Sequence, residues 1–195
     1  MLEMLIIIVG AGFWGSLPSG VLVAKGLGLK DPRTTGSGNI GAANMTRSGG
    51  LKAGAITFSL DFMKGFIPVF FTLKYGNFPG DFPWILGGAL VLSHCYSVFL
   101  GLRGGKGVAT AAGVFFALTP LNAAIGLAVW IMVFFGSKIT SLAAITAMFA
   151  ILLSLAATSP NNIAIVVSLG IFFLIVRRHE ENLYGLISGS ERRFH

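Results

Sequence analysis

Asp31-Pro32-Arg33-Thr34-Thr35-Gly36-Ser37-Gly38-Asn39-Ile40-Gly41-Ala42-Ala43-Asn44-Met45-Thr46-Arg47 separates two long apolar segments, and its reading decides the fold. Gly36 to Gly41 has the spacing of a dinucleotide fingerprint, G-x-G-x-x-G, and Asp61 follows 20 residues later. That fingerprint belongs to an α/β sheet, with a strand before the glycines and a ribose at the acidic residue. Here Lys30-Asp31-Pro32-Arg33 is polar and broken by proline, and Asp61 lies inside a hydrophobic segment. The stretch is therefore a polar loop between helices. Its glycines let backbone N–H groups approach a ligand closely, and its hydroxyls, amides and guanidinium add donors. Ser37, Gly38, Asn39, Gly41 and Asn44 are candidates to cradle a phosphate, with Gly36 and Arg47 beside them.

Outward from this loop the chain is apolar. Of 195 residues, 54% are hydrophobic and 11% charged, with a mean hydropathy of +0.83. Soluble domains carry about 25% charged residues, so a single transmembrane domain over residues 1–195 is expected. Spans are expected at Met4–Ala24, Leu51–Leu73, Phe82–Leu100, Leu142–Ala157 and Ile163–Val176. Val108–Leu118 is apolar but short, because a perpendicular helix needs about 20 residues to cross. Pro120 ends it, and Leu121–Phe135 returns. The pattern predicts an all-α polytopic bundle of seven transmembrane helices, or five if the short pair is re-entrant. The lone Cys95 excludes an internal disulfide. Glu3 and the lack of a basic N-terminal region argue against a cleaved signal peptide.

Charge placement orients the bundle. With the Asp31–Arg47 loop in the cytoplasm, 12 of the 14 Lys and Arg residues face inside; Lys74 falls outside and Lys64 within a span. The positive-inside rule then puts the N-terminus outside and the C-terminus in the cytoplasm. All the polar loops meet on one face.

A second glycine-rich loop, Gly104-Gly105-Lys106-Gly107-Val108-Ala109-Thr110, resembles a P-loop but has Gly107 after the lysine and no strand before it. A lysine before a helix N-terminus still favours phosphate. Asp61 and Lys64 share a helix face inside a span, which suits either a brace or a substrate role. His94 reads as a core histidine. His179 and Asn182 would share a face if the last helix continues past Arg178, and His179 can exchange a proton near neutral pH. Asp31, Glu180, Glu181 and Glu191 are scattered cytoplasmic carboxylates with no metal-ligand spacing, so no metal and no cofactor are expected.

Together these stretches resemble the bacterial acyl-phosphate-dependent glycerol-3-phosphate acyltransferases (PlsY type). Gly36 to Arg47 matches the family's G-S-G-N-x-G-A-x-N-x-x-R motif, Gly104 to Thr110 its G-G-K-G-V-A-T motif, and His179 with Asn182 its H-x-x-N motif. Asp61-x-x-Lys64-Gly65 and the Ser137–Ser141 turn also look like family features. Ala43, Ser97 and Gly185 depart from the residues usual at their positions. The resemblance implies transfer of a fatty acyl group from acyl-phosphate to the 1-hydroxyl of glycerol 3-phosphate, giving lysophosphatidic acid and phosphate. It implies catalytic roles for Lys106, His179 and Asn182, and substrate contacts from Gly36, Ser37, Gly38, Asn39, Gly41, Asn44, Arg47, Gly105, Thr110 and Ser141. The implied partners are membrane lipid and the soluble enzyme that makes acyl-phosphate, with no nucleic acid, at the cytoplasmic face of the inner membrane. Which loop holds which phosphate stays open. So does whether His179 or the substrate's phosphate takes the hydroxyl proton; no residue that would orient His179 as a base is visible in the sequence. The rival reading is an organophosphate or anion transporter, which usually places its site near the midplane.

Overall fold

A computed structural model describes residues 1–159 and 161–194. The described residues form nine α-helices and no strand. They are α1 Leu2–Gly15, α2 Ser19–Gly26, α3 Ala42–Tyr75, α4 Phe82–Cys95, α5 Val108–Leu118, α6 Pro120–Ser137, α7 Thr140–Thr158, α8 Asn162–Arg178 and α9 Glu180–Ile187. Four segments are long and apolar enough to cross a membrane, or up to six if each of two bent pairs counts as one span.

The boundaries correct the sequence reading in three places. The first span is two helices, α1 and α2, bent by 43° across Ser16-Leu17-Pro18. Proline lacks the N–H to continue α1. Ser97 Oγ donates to the Ser16 carbonyl at 2.6 Å, and the Ser16 hydroxyl accepts from Val98 N–H at 3.3 Å, pinning the bend against α4. The polar loop is shorter than expected, because helix begins at Ala42 and already carries Asn44 and Arg47. Gly50, at φ +81°, then breaks α3, so residues 42–49 form an arm at an angle to the long span. The third span keeps its expected bounds, Phe82–Leu100, with α4 ending at Cys95 and a 3-10 turn at Val98–Leu100 completing it. The last helix does not continue through His179; α8 and α9 meet there at 63°.

Close packing fixes the centre. Gly65 on α3 lies against the Thr110 carbonyl, and Gly113 on α5 against the Phe62 carbonyl; a Cβ at either would overlap backbone. Small residues at helix crossings are the usual means of membrane packing. Leu86, Leu90, Val91, Val114, Phe115 and Ile175 fill the core, while Leu5, Phe71, Met132 and Phe173 face outward. One end of the bundle is tied by Asn161 Nδ2 donating to Asp81 at 2.9 Å and Asn122 Nδ2 donating to Ser154 and Thr158, both at 3.1 Å. The other end gathers the residue 27–41 loop, the Gly101–Gly107 loop, the α6–α7 turn and the C-terminal tail. α4 and α5 are short, with 14 and 11 residues.

Candidate active site

A cavity of about 1630 Å³ opens at this second end. That exceeds the roughly 300–1,000 Å³ of ordinary small-molecule pockets. Ser37, Gly38, Asn39, Gly41, Asn44, Arg47, Lys106, Ser141, His179 and Asn182 line it; Gly36, Gly105 and Thr110 do not.

The first loop folds around Asn44. This buried amide donates to the carbonyls of Pro32 (3.0 Å), Thr35 (3.1 Å) and Asn39 (2.8 Å), and its Oδ1 accepts from Ser37 N–H at 2.8 Å. The Gly38 N–H closes a turn onto the Thr35 carbonyl at 2.9 Å, and the Gly41 N–H donates to Asn39 Oδ1 at 2.8 Å. The expected cradle of Ser37, Gly38 and Gly41 N–H groups is therefore spent within the loop, and Asn44 is its strut, not a phosphate contact. Gly36, at φ +58°, is needed because a Cβ there would overlap the Asn44 side chain. What remains for an anion is the Asn39 and Ile40 N–H groups, the Ser37 hydroxyl, the Asn39 Nδ2 and the N-terminus of α3 at Ala42 and Ala43. Arg33 also lines the cavity but is held by Asp31, at 2.6 Å between Nη2 and Oδ2.

The second loop is pressed onto the end of α4. Gly104 and Gly105 N–H donate to the carbonyls of Cys95 (3.0 Å) and His94 (3.1 Å). A Cβ on Gly105 would overlap the His94 ring and one on Gly104 the His94 carbonyl. These glycines serve close approach, and Gly105 is not a substrate contact. From the other side Arg178 clamps the loop, donating to the Gly104 and Gly105 carbonyls at 2.8 and 3.1 Å. Thr110 is buried toward Gly65 on α3, away from the cavity, which corrects its expected role.

Lys106 emerges from this loop and hydrogen-bonds Asn182 Oδ1. Asn182 Nδ2 donates to Glu191 Oε1 at 2.6 Å, and the Ser141 hydroxyl donates to the same oxygen at 2.7 Å. Burial lowers the Lys106 pKa, opposed by Glu191 and Glu181. Arg47 stacks over Phe194 at 4.2 Å, and Phe194 N–H donates to the Lys138 carbonyl at 2.8 Å, so the tail crosses the site. The sequence reading missed Glu191, Arg178 and the start of α3. The signals available were a lone carboxylate in a basic tail and an arginine directly before His179.

His179 caps the bend between α8 and α9. Its Nδ1 lies 2.8 Å from the Ile175 carbonyl. A carbonyl only accepts, so Nδ1 carries the proton and Nε2 of the neutral ring is an acceptor. The backbone thus orients this histidine, which the sequence did not reveal. Burial, with Lys106 adding to it, lowers its pKa from 6.5 to about 4. Between those values the unfolded chain binds the proton and the folded chain does not, so stability rises with pH across that window. Thermal unfolding in detergent from pH 4 to 7 should show this rise, and His179→Gln should flatten it. Equal slopes for both proteins would refute the burial argument.

Asp61 Oδ1 lies 2.8 Å from Lys64 Nζ and 3.6 Å from His94 Nδ1, all three residues buried. Lys64 Nζ also donates to the Leu17 carbonyl at 3.0 Å, and the Trp14 indole to the Lys64 carbonyl at 3.2 Å. The pair braces α1, α3 and α4, and its histidine partner backs Gly105.

The family model for glycerol-3-phosphate acyltransferase matches residues 5–189. The chain belongs to this family. It is 43% identical to the glycerol-3-phosphate acyltransferase of Aquifex aeolicus over 99% of this chain and 100% of that protein. It is 40% identical to that of Geobacter sulfurreducens, over 100% and 99%. Among solved structures it resembles the glycerol 3-phosphate form of PlsY (YgiH), an integral membrane glycerol 3-phosphate acyltransferase, with a TM-score of 0.93, 41% identity, and 99% and 96% of the two chains covered. The lysophosphatidic acid form matches with a TM-score of 0.91 and 40% identity over the same shares. Family membership and the apolar helices make this a multi-pass membrane protein. A site at one end of the bundle within this family does not favour the transporter reading.

Proposed function

We propose that this protein transfers a fatty acyl group from acyl-phosphate to the 1-hydroxyl of glycerol 3-phosphate, at the cytoplasmic face of a bacterial inner membrane. The observation that carries the reading is one cavity in which Arg47, Lys106, Ser141, His179 and Asn182 surround a polar mouth continuous with an apolar cleft. Both substrates carry phosphate, and one carries an acyl chain. The glycerol oxygen attacks the acyl carbonyl, the acyl carbon–oxygen bond breaks, and inorganic phosphate leaves. Arg47 and Lys106 offset the charge of the two phosphates, while Ser37, Asn39 and the α3 N-terminus receive the second anion. Positioning two reactants this way can supply about 7–11 kcal/mol of the barrier. Phosphate is already a good leaving group, so no covalent enzyme intermediate is needed. A soluble enzyme that makes acyl-phosphate is the implied partner. The assay is purified protein with palmitoyl-phosphate and glycerol 3-phosphate, scored for phosphate and lysophosphatidic acid, beside acyl-thioester donors. Activity with thioesters alone would overturn the donor assignment, and no transfer from any donor the activity itself.

His179 presents an acceptor to a glycerol hydroxyl, while the substrate's phosphate, with a second pKa of about 6, takes the proton. A histidine held at about 4 is the weaker base. His179→Gln should keep measurable turnover, with most of its defect in the KM for glycerol 3-phosphate. A fall of ~10²–10⁴ in kcat at saturating substrate is the mark of a lost general base and would assign the proton to His179.

The same reading carries seven crossings, with α1–α2 one bent span, α5 a short one, the N-terminus outside and the C-terminus in the cytoplasm. In a Cys95→Ala background, single cysteines at Asn39, Arg103 and Tyr184 should react with impermeant reagents only from the cytoplasmic side. A cysteine at Asn77 should react only from outside. Any reversal overturns the orientation.

A further inference from the structure

Below its polar groups the cavity continues as a wedge. α3 packs along α5, and α6 along α7; the two pairs come together where α5 turns into α6 at Leu118-Thr119-Pro120. Toward the polar end they diverge, and apolar residues of all four helices line the gap. Phe62, Phe116, Ala123 and Ile151 form its narrow end. One residue beyond Ala123, the Asn122 amide ties α6 to Ser154 and Thr158 of α7, both at 3.1 Å. The wedge is therefore closed by a hydrogen-bonded clasp.

Its depth follows from the helices. Gly107 to Phe116 on α5 and Ser141 to Ile151 on α7 each span about 14–15 Å at 1.5 Å per residue. An all-trans alkyl chain, with carbon–carbon bonds of about 1.52 Å at about 111°, advances roughly 1.25 Å per bond. The wedge thus accepts about 12–13 carbons before a methyl end reaches the vertex. Its flank is open, since Phe58 and Leu127 are each 47% exposed, so a longer chain turns out sideways.

We propose that this vertex is the length stop for the acyl chain, with Phe116, Ala123 and Ile151 deciding where a straight chain must leave the wedge. The proposal rests on the acyl-transfer reading for the identity of the chain. Two observations support an acyl occupant: the cleft is continuous with the anion-binding mouth, and a solved relative has a lysophosphatidic acid form.

Each methylene denied burial should weaken binding roughly fourfold. The test uses two arms: acyl-phosphates of 10 to 18 carbons in the transfer assay, and 1-acyl-glycerol 3-phosphates of the same lengths in thermal-shift binding. In the wild type, kcat/KM and the thermal shift should climb with length and level off near 14 carbons. Ala123→Leu at the vertex should lower the 16-to-10-carbon ratio about tenfold. Ala112→Phe lies halfway up the α5 wall and should lower it further, levelling off at a shorter chain. Phe116→Ala should move the plateau to longer chains. The graded order separates a stop from general damage, and Ala112→Phe with Phe116→Ala suffices if Ala123→Leu does not fold. Folded variants with ratios within twofold of wild type, or a wild type with no plateau in either arm, would overturn the stop. A binding plateau without transfer would instead overturn the catalytic reading and leave the stop standing.

Discussion

Lys106→Ala should lower kcat for acyl transfer by about 10²–10³ or more, the loss expected when one preorganised charge at a developing anion is removed. Lys106 is the ammonium fixed by both a glycine-framed loop and a side-chain partner, Asn182. Arg178 locks the loop from behind, so the lysine has little freedom to wander. Arginine in its place restores charge but not the compact point charge, and should recover only part of the activity. The variant should fold normally, because the loop is held by backbone hydrogen bonds that do not involve the side chain. Turnover within a few-fold of wild type would reduce Lys106 to a lipid-contact residue.

Asn44→Ala should fail for a different reason. The amide's two N–H protons are shared among three loop carbonyls, and its oxygen accepts from the Ser37 N–H. At about 1 kcal/mol net for each of these two protons and the one acceptor contact, the cost is about 3 kcal/mol, and more where a buried carbonyl is left unpaired. Melting temperature and activity should fall together. Asn44→Asp should do no better, since a carboxylate cannot donate to three carbonyls. A variant with unchanged melting temperature and a raised KM for either substrate would return Asn44 to the phosphate.

How far the sequence could be read depends on the kind of information required. The membrane bundle was visible because hydropathy and charge act over whole segments. The gathering of Arg47, Lys106, His179 and Asn182 was visible because each lies in a polar stretch on the face that the positive residues define. The direction of a donor was not. Asn44 and Ser37 have the right chemistry for phosphate, and only the backbone shows that Asn44 turns inward. Gly104 and Gly105 suggested a flexible anion loop, whereas they are small so that the loop can lie on α4. Glu191 carries no periodicity or motif; its part emerges only when the tail is seen folding back over Ser141 and Asn182.

The short helix α5 has a kinetic consequence. At 11 residues, α5 spans about 17 Å, against a hydrocarbon core of about 30 Å. The Gly104 N–H rests on the Cys95 carbonyl, so Lys106 begins where α4 stops. In the proposed orientation the reacting groups therefore stand in a depression below the lipid headgroups. Glycerol 3-phosphate descends into it from water, and its rate should follow bulk molarity. The acyl donor arrives sideways, through the leaflet, and its rate should follow its mole fraction in the bilayer. Adding inert lipid at constant donor should slow the reaction by surface dilution, whereas adding buffer at constant glycerol 3-phosphate concentration should not. On this reading the new lysolipid is delivered into the leaflet without ever being in water.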